Sequence, residues 1–523
     1  MSEKRIFQGV ALDQVRRSTF DLSHERLQTG QMGVLYPNLL QEVVPGDTFQ
    51  VNTEIMTRLA PMIGPLMHRI DIFQHYFFVP NRIVWPDWEE FITGGDKGDT
   101  TIQMPTVNLA TYGDPDTTKV GSLWDMLGLP TNNPGAGYST LTQKISQLPF
   151  RAYQLIYNEY YRDQNIVDEV DIYDESQIYG LRRRALEKDY GTSALPFAQK
   201  GPSVQLPISY SPDYRDVSRF IDEFDTPIGN NFTMKAGPDT VPGNTGDIHI
   251  EDGGGNELLG KVDNLNTQQE SFNLTINDLR ESNRLQQWLE TAARAGSRYT
   301  EQLRAHFGVI SSDARLQRPE YLGGGRQPVT VSEVLNTAAD VSGTTLQPLG
   351  SYGGHGISVG SRNAFNKSFE EHGYIFGIMS IRPRTTYSSG IHRHWTRESR
   401  FDHFFPEFAN LGEQAILAKE IFTHPNDDTY NDLTFGYQQR FAEYKYACST
   451  FHGDFKKSGL NEWHLGRQWA DTDPPYLDWD FIHIPVDNRI FAVDDGEQHQ
   501  FWSQIYHNIE ATRPMPYFAK PQL

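Results

Sequence analysis

Cysteine is nearly absent from this chain of 523 residues: only Cys448 is present. One thiol excludes an internal disulfide framework and any zinc site built from cysteines. Long apolar runs are also missing. No stretch of 18 apolar residues occurs, so no membrane insertion is expected. The opening MSEKRIFQGV lacks the apolar core of a secretory signal. Basic charge is scarce, with 46 Lys and Arg against 67 Asp and Glu, a net of −21. Taken whole, that balance argues against a protein that coats nucleic acid by neutralising phosphate. The deficit is uneven, however. Residues 205–270 carry −8 and residues 471–497 carry −7, which leaves about −6 for all the rest. A mildly charged surface facing nucleic acid therefore remains open.

Catalytic signatures are missing too. There is no GxGxxG after a strand, no GxxxxGK[ST], no GxSxG and no HExxH. DDTYND at 427–432 lacks the glycine and the final glutamate of an EF-hand loop. Cys448 reads as a small buried residue and not as a nucleophile.

What the chain has is aromatic residues and turns. Aromatics make up 12%, and Gly 44 with Pro 30 marks many turns. The central stretch is PMIGPLMHRIDIFQHYFFVPNRIVWPDWEEFITGG at 61–95. From His68 to Val79 it alternates, with Ile70, Ile72, Gln74, Tyr76 and Phe78 on one face and Asp71, Phe73, His75, Phe77 and Val79 on the other. Period two with β-branched and aromatic residues predicts a strand, and apolar groups on both faces predict a sheet covered on both sides. Pro80 ends it, and a short helix is expected over Pro86–Ile92, stopped at Gly94-Gly95.

Further along, Ser122 is placed to cap a short helix reaching Leu127. LPFRAYQLIYNEYYRD carries Phe150, Tyr153, Ile156, Tyr157 and Tyr160 on one helical face, which reads as core and not as a ligand-stacking surface. Residues 200–272 are acidic, turn-rich and poor in large apolar groups. They read as a surface insertion with one or two hairpins, Asp247–Glu251 being strand-like. Asp278–Phe307 is the longest helical pattern, with a break expected at Gly296. GGG at 323–325 and GG at 353–354 read as loops, and Gly412–Phe422 as a short helix. Gly373–Arg384, Trp479–Val486 and Phe501–Thr512 read as strands.

Two clusters invite a chemical reading. His392, His394 and Glu398 have the HxH-x3-E spacing of a cupin metal strand. Yet Thr386 and Phe405 stand where that pattern wants glycine, and exposed or interfacial histidines are the default reading. LRRRALEKD at 181–189 holds Arg182, Arg183 and Arg184. These read either as a solvated helix face or an inter-subunit salt-bridge patch, or as phosphate contacts, and Arg16 and Arg17 in the polar N-terminal arm join them as candidate DNA contacts.

Several long blocks, in this order, resemble the major capsid proteins of the Microviridae, small single-stranded DNA phages, nearest the gokushovirus-like branch. They are FDLSHER at 20–26, PGDTFQVNTE at 45–54, LAPMIGPLMHR and FFVPNRIVWPDWEEFITGG within 59–95, and LPFRAYQLIYNEYYRDQN at 148–165. SRYTEQLRAHFGVISSDARLQRPEYLGG at 297–324, HGYIFGIMSIRPRTTYSSGIHRHW at 372–395, RFDHFFPEFANLGEQAI at 400–416 and YKYACSTFHGDF at 444–455 continue the series.

The resemblance implies a mainly β fold, an eight-stranded antiparallel viral jelly roll (β-sandwich) with long, partly helical loop insertions. Residues 1–30 would be an N-terminal arm, 31–523 a single jelly-roll domain, and 200–272 a surface-exposed protrusion, although its sequence departs from that branch. The implied function is a non-enzymatic capsid protein that self-assembles into a T=1 icosahedral shell around circular single-stranded DNA. No catalytic, cofactor or metal residues are implied. The implied partners are further copies of the chain, the packaged DNA, a small basic DNA-binding virion protein and a host cell-surface receptor. The implied location is the virion, assembled in the host bacterial cytoplasm. Two other classes stay open: a metal-dependent cupin-like enzyme using His392, His394 and Glu398, and a carbohydrate-binding sandwich. Assembly into large shells separates the first class from both.

Overall fold

The alternating stretch from His68 becomes a strand, Ile70–Pro80, in which every residue but Phe73 and His75 is buried. The computed structural model describes residues 16–95, 101–108, 117–131, 144–202, 204, 220–222, 232–236, 248–252, 257–258, 260–262, 276–296, 298–335, 352–492 and 498–518. Its framework strands are β1 (Ser18–Asp21), β2 (His24–Gly30), β3 (Tyr36–Val43), β4 (Thr48–Leu59), β5 (Ile70–Pro80), β6 (Glu320–Pro328), β7 (Thr330–Leu335), β8 (Tyr352–Ser368), β9 (Gly373–Pro383) and β10 (Phe501–Arg513). The chain is mainly β, and the framework pairs are antiparallel. One sheet runs β1-β10-β4-β8-β7, with β2 also on β10, and the other runs β6-β5-β9-β3.

The period-two patterns set which faces meet. Phe501, Ser503, Ile505, His507 and Ile509 are buried while their neighbours along β10 are exposed. Ile505 lies opposite Ile55 in the first sheet. Ile55, Leu59, Phe501 and Ile505 pack in one core with Ile70, Ile72, Met379 and Ile381 of the second sheet. A continuing core joins Phe49, Val51 and Ile509 to Tyr76, Phe78 and Ile375. The two sheets thus bury one face each against the other, as a β-sandwich does.

The far face of the second sheet is also covered. Phe77, Val79, Phe376 and Ile378 pack against Phe150, Tyr153 and Ile156 of helix α1 (Leu148–Ile156), and against Tyr157 of the π-helical turn that continues it to Tyr161. The second face of β5 is therefore covered along Phe77 and Val79, while Phe73 and His75 on the same face stay partly exposed. Of the tyrosine stripe, Tyr153 and Tyr157 are core, the Tyr153 hydroxyl donating to the Leu35 carbonyl at 2.8 Å, while Tyr160 is only partly buried.

Between the sheets runs a polar chain. The Asn38 and Gln74 amides exchange hydrogen bonds of 2.7 and 3.0 Å. Tyr76 donates to Thr53 Oγ1 (2.5 Å), which lies 2.9 Å from His507 Nδ1, and His507 Nε2 is 3.0 Å from the Asn38 carbonyl. The carbonyl can only accept, so Nε2 carries the imidazole proton and Nδ1 accepts from Thr53.

Local expectations meet mixed outcomes. Ser122 caps Leu123–Met126 through the Asp125 amide (3.4 Å). The 86–92 helix forms as Trp88–Thr93 and ends at Gly94 with φ 82°. The long helical pattern breaks where expected, into α2 (Ile276–Ala295) and α3 (Tyr299–Phe307), with Gly296 at φ +104°. Three readings are corrected. The glycines at 323–325 and 353–354 lie inside β6 and β8, because a strand glycine permits close backbone approach. A Cβ on Gly324 would sit 2.2 Å from the Gln74 carbonyl of β5. Gly412–Phe422 is a strand, Glu413–Leu417 paired with Thr434–Gln439, before a single helical turn at Ala418–Ile421. Trp479–Val486 begins as a helical turn, Trp479–Ile482, because the Asp478 carboxylate accepts from the Phe481 amide at 2.9 Å and caps it.

The chain divides into two compact units, 1–201 with 289–523 and 202–288. In the second, Phe232–Ala236, Ile248–Asp252 and Glu257–Leu258 form an antiparallel sheet, and Phe220–Asp222 pairs with Gly260–Val262. In the stretch expected to be an arm, β1 and β2 pair along β10, while residues 1–15 lie outside the described residues.

Candidate nucleic-acid interface

The second face of β5, read in sequence as Asp71, Phe73, His75 and Phe77, opens at one side into a groove of about 530 Å³. Its floor is His75 and Phe77. Its walls come from distant segments: Tyr160, Tyr161 and Arg162 after α1, Arg184 and Lys188, Arg298 before α3, Tyr321 of β6 and Arg382 of β9. Aromatic and cationic side chains line it together, and Asp163 is the one acid among the described lining residues.

Each cation is held in place. Arg184 donates to Ser380 Oγ at 2.6 Å and stacks 4.1 Å over the Phe73 ring. Arg382 stacks on the same ring at 4.6 Å and pairs with Glu187 at 3.5 Å. Arg298 donates to the Asn158 and Arg162 carbonyls (2.5 and 3.1 Å) and pairs with Glu301 at 3.4 Å. Arg162 donates to the Val167 carbonyl (2.8 Å), and Lys188 pairs with Asp163. His75 Nδ1 lies 2.7 Å from the Tyr161 hydroxyl. Burial, reinforced by Arg184 and Arg382, pushes its imidazole down to about 3, so it is neutral at physiological pH. Burial likewise lowers Arg184 to about 10, still charged at neutrality. Tyr321 is 47% exposed and offers a ring to solvent beside these cations. Fixed guanidiniums beside an open aromatic ring suit a flexible polyanion with stackable bases.

The sequence-predicted cations fall in different places. The arginine run is extended and not helical: Leu35 N binds the Arg182 carbonyl (2.9 Å) and Arg184 N binds the Gly33 carbonyl (2.7 Å). Arg182 is occupied within the fold, donating to Gln154 (2.7 Å) and to the Gln177 carbonyl (2.6 Å). Arg183 forms a bridge with Val34. Only Arg184 of the three lines the groove. Arg16 and Arg17 are exposed ahead of β1 and are not part of it. Sequence reading missed Arg162, Lys188, Arg298 and Arg382, which lie far apart in the chain. The usable signal was the polar and aromatic second face of β5.

His392 and His394 touch, Nδ1 to Nδ1 at 2.5 Å, but on a 3-10 turn, Arg393–Trp395, and not on the strand a cupin box requires. Among the described residues no group of three His, Cys, Asp or Glu is placed to hold a metal, so Glu398 does not complete one. No described helix is long and apolar enough to cross a membrane.

Residues 9–523 match the family model described as capsid protein (F protein). The chain is similar to capsid protein VP1 of Chlamydia phage 1, at 35% identity over 99% of this chain and 98% of that protein. It is also similar to capsid protein VP1 of Bdellovibrio phage phiMH2K, at 34% over 97% and 95%. A third relative, capsid protein VP1 of Spiroplasma virus 4, is 28% identical over 97% and 96%.

Proposed function

The chain belongs to the phage capsid protein (F protein) family, and from that premise we propose that it is the major capsid protein of a small single-stranded DNA phage. The observation that carries this is similarity along nearly the whole chain to phage capsid proteins. The fold supports it. Taking β1 with β2 as one strand and β7 as the hairpin arm of β8, the sheets hold eight strands. Numbered along the chain, their orders are 1-8-3-6 and 2-7-4-5. Apart from strands 4 and 5, each strand lies in the other sheet from the one before it, an order compatible with the interleaving of a jelly roll.

In this reading the protein is structural and non-catalytic, and further copies close a T=1 icosahedral shell around circular single-stranded DNA. Residues 200–272 form an outward protrusion for attachment to a host cell-surface receptor. Placed inside, their net −7 would set negative charge against packaged phosphate in every copy. The overall −21 leaves most genome neutralisation to a small basic DNA-binding virion protein. The virion is the location, and assembly takes place in the host bacterial cytoplasm.

The groove on the second sheet is the DNA contact within the chain, with Arg184 its link to the arginine run. Arg16 and Arg17 add exposed charge, while Arg182 and Arg183 act through the fold. The experiment is DNA content per purified particle. Arg382→Ala with Tyr321→Ala lowers it or raises its salt sensitivity, whereas Arg16→Ala with Arg17→Ala has the smaller effect. Unchanged DNA content and salt release in the groove variant would remove the groove from the reading.

A further inference from the structure

The segment that follows β9 presents aromatic rings to solvent. Trp395, Phe401, Phe404, Phe405 and Leu411, with Tyr444 beside them, are between 43% and 76% exposed. They form one connected patch. The Phe404 ring packs on Phe441 (5.2 Å) and Tyr444 (6.0 Å), and Phe408 joins Phe401 (5.7 Å) to Phe405 (6.1 Å). Arg397, two residues from Trp395, stacks 4.3 Å over the Tyr444 ring. A buried ring takes about 150–250 Å² out of water, so these side chains at about half exposure leave roughly 600 Å² of apolar surface. That is the top of the range for the largest patch on a monomer, about 300–600 Å².

The rings are held in place. Short 3-10 turns at Arg393–Trp395, Arg400–Asp402 and Pro406–Phe408 carry them. Ser399 Oγ accepts from the Phe401 amide (3.1 Å), and the Asp402 carboxylate accepts from the Ser399 and Glu398 amides (2.7 and 3.1 Å). The Phe404 amide donates to the Tyr444 hydroxyl (3.3 Å), and Arg440 donates to the Phe401 carbonyl (3.5 Å). Glu443, buried, accepts from Arg397 (3.1 Å) and Gln414 (2.8 Å). Rings fixed in this way lose little conformational freedom when another surface covers them.

Charge narrows what that surface is. The chain carries −21, so two copies repel unless they meet where charge is balanced. The patch is such a place: residues 392–411 and 440–446 hold five Arg and Lys against four Asp and Glu. Near neutrality, it neither repels an acidic chain nor draws a polyanion as the groove does. A standard interface buries about 800 Å² per partner. Between identical chains about 65% of that is apolar, roughly 500 Å². The patch supplies that share.

We propose that this patch is a contact between copies, its rings buried against a second copy of this chain. The inference rests on the shell reading above and names one surface through which the shell closes.

The test is hydroxyl-radical footprinting of the wild-type protein, as dilute subunits and as particles assembled from the purified chain alone, so that only other copies are present. Trp395 and Phe405 should be oxidised several-fold more slowly in the particles. Trp395→Asp with Phe405→Asp should raise the concentration needed for assembly about tenfold. The melting temperature of the dilute subunit should not change, since both side chains are exposed. Equal oxidation in subunits and particles overturns the proposal and leaves the shell reading standing, as does a doubly substituted chain that assembles like wild type. Protection that arises only when single-stranded DNA or host envelope is added assigns the patch to another occupant and overturns it too. A wild-type chain that never associates overturns both the proposal and the shell reading.

Discussion

Acid should loosen this fold through His507, and the size of the effect follows from where the ring sits. His507 is fully buried between the sheets, its two nitrogens committed to Thr53 and to the Asn38 carbonyl. Burial pushes the imidazole down to about 4 from an ordinary value of 6.5, with His24 and Arg26 adding repulsion. A histidine with a depressed folded pKa contributes stability that is present in full above 6.5. The contribution is lost as pH falls from 6.5 towards 4, where the unfolded chain takes up a proton that the folded one refuses. At about 1.4 kcal/mol per pH unit, the interval corresponds to about 3 kcal/mol. His507→Gln cannot titrate, and its amide can partly replace the two hydrogen bonds, so it should cost about 1 kcal/mol at pH 7.5. His68, His75 and His483, also depressed by burial to about 4, 3 and 4, steepen the acid slope of both proteins equally. The difference between the two therefore isolates His507. Unfolding midpoints by tryptophan fluorescence should converge as pH falls from 7.5, cross at about pH 6, and leave the variant the more stable protein at pH 4.5 by about 1.5 kcal/mol. Parallel curves over that range would refute the assignment of a neutral, proton-refusing His507.

Gly296→Ala should destabilise by about 1–3 kcal/mol in the same assay, because the position needs φ +104° and a Cβ would meet Glu301 and Gln164. An unchanged midpoint would show that the α2–α3 junction tolerates another geometry. Replacing 230–262 with a short Gly-Ser linker should leave shells assembling, with smaller surface projections in micrographs and weaker attachment to host cells. Loss of assembly with a folded subunit would instead make that segment part of the shell wall.

Legibility in the sequence followed from how local each signal was. Period two in β5 and β10, the Ser122 cap and the break at Gly296 depend on neighbours in the chain, and all appear in the structure as read. The glycines of β6 misled because their role is tertiary: they allow β6 to press against the β5 backbone, and no local pattern reports that. The Asp478 cap was local but was outweighed by the apolar residues after it. The groove was half visible. Phe73, His75 and Phe77 were placed on one face, but the cations opposite arrive from four separate segments. The run Arg182–Arg184 drew notice by its density, yet of the three only Arg184 lines the groove; the Arg182 side chain binds Gln154 and the Gln177 carbonyl, and Arg183 bridges Val34 through its backbone.

The central claim is that many copies of this chain close into a shell. The most direct measurement is sedimentation of the expressed wild-type protein with negative-stain microscopy of the fastest fraction. The account predicts one population of closed, uniform icosahedral particles of T=1 geometry. A stable, fully folded monomer or small oligomer across assembly conditions would contradict it.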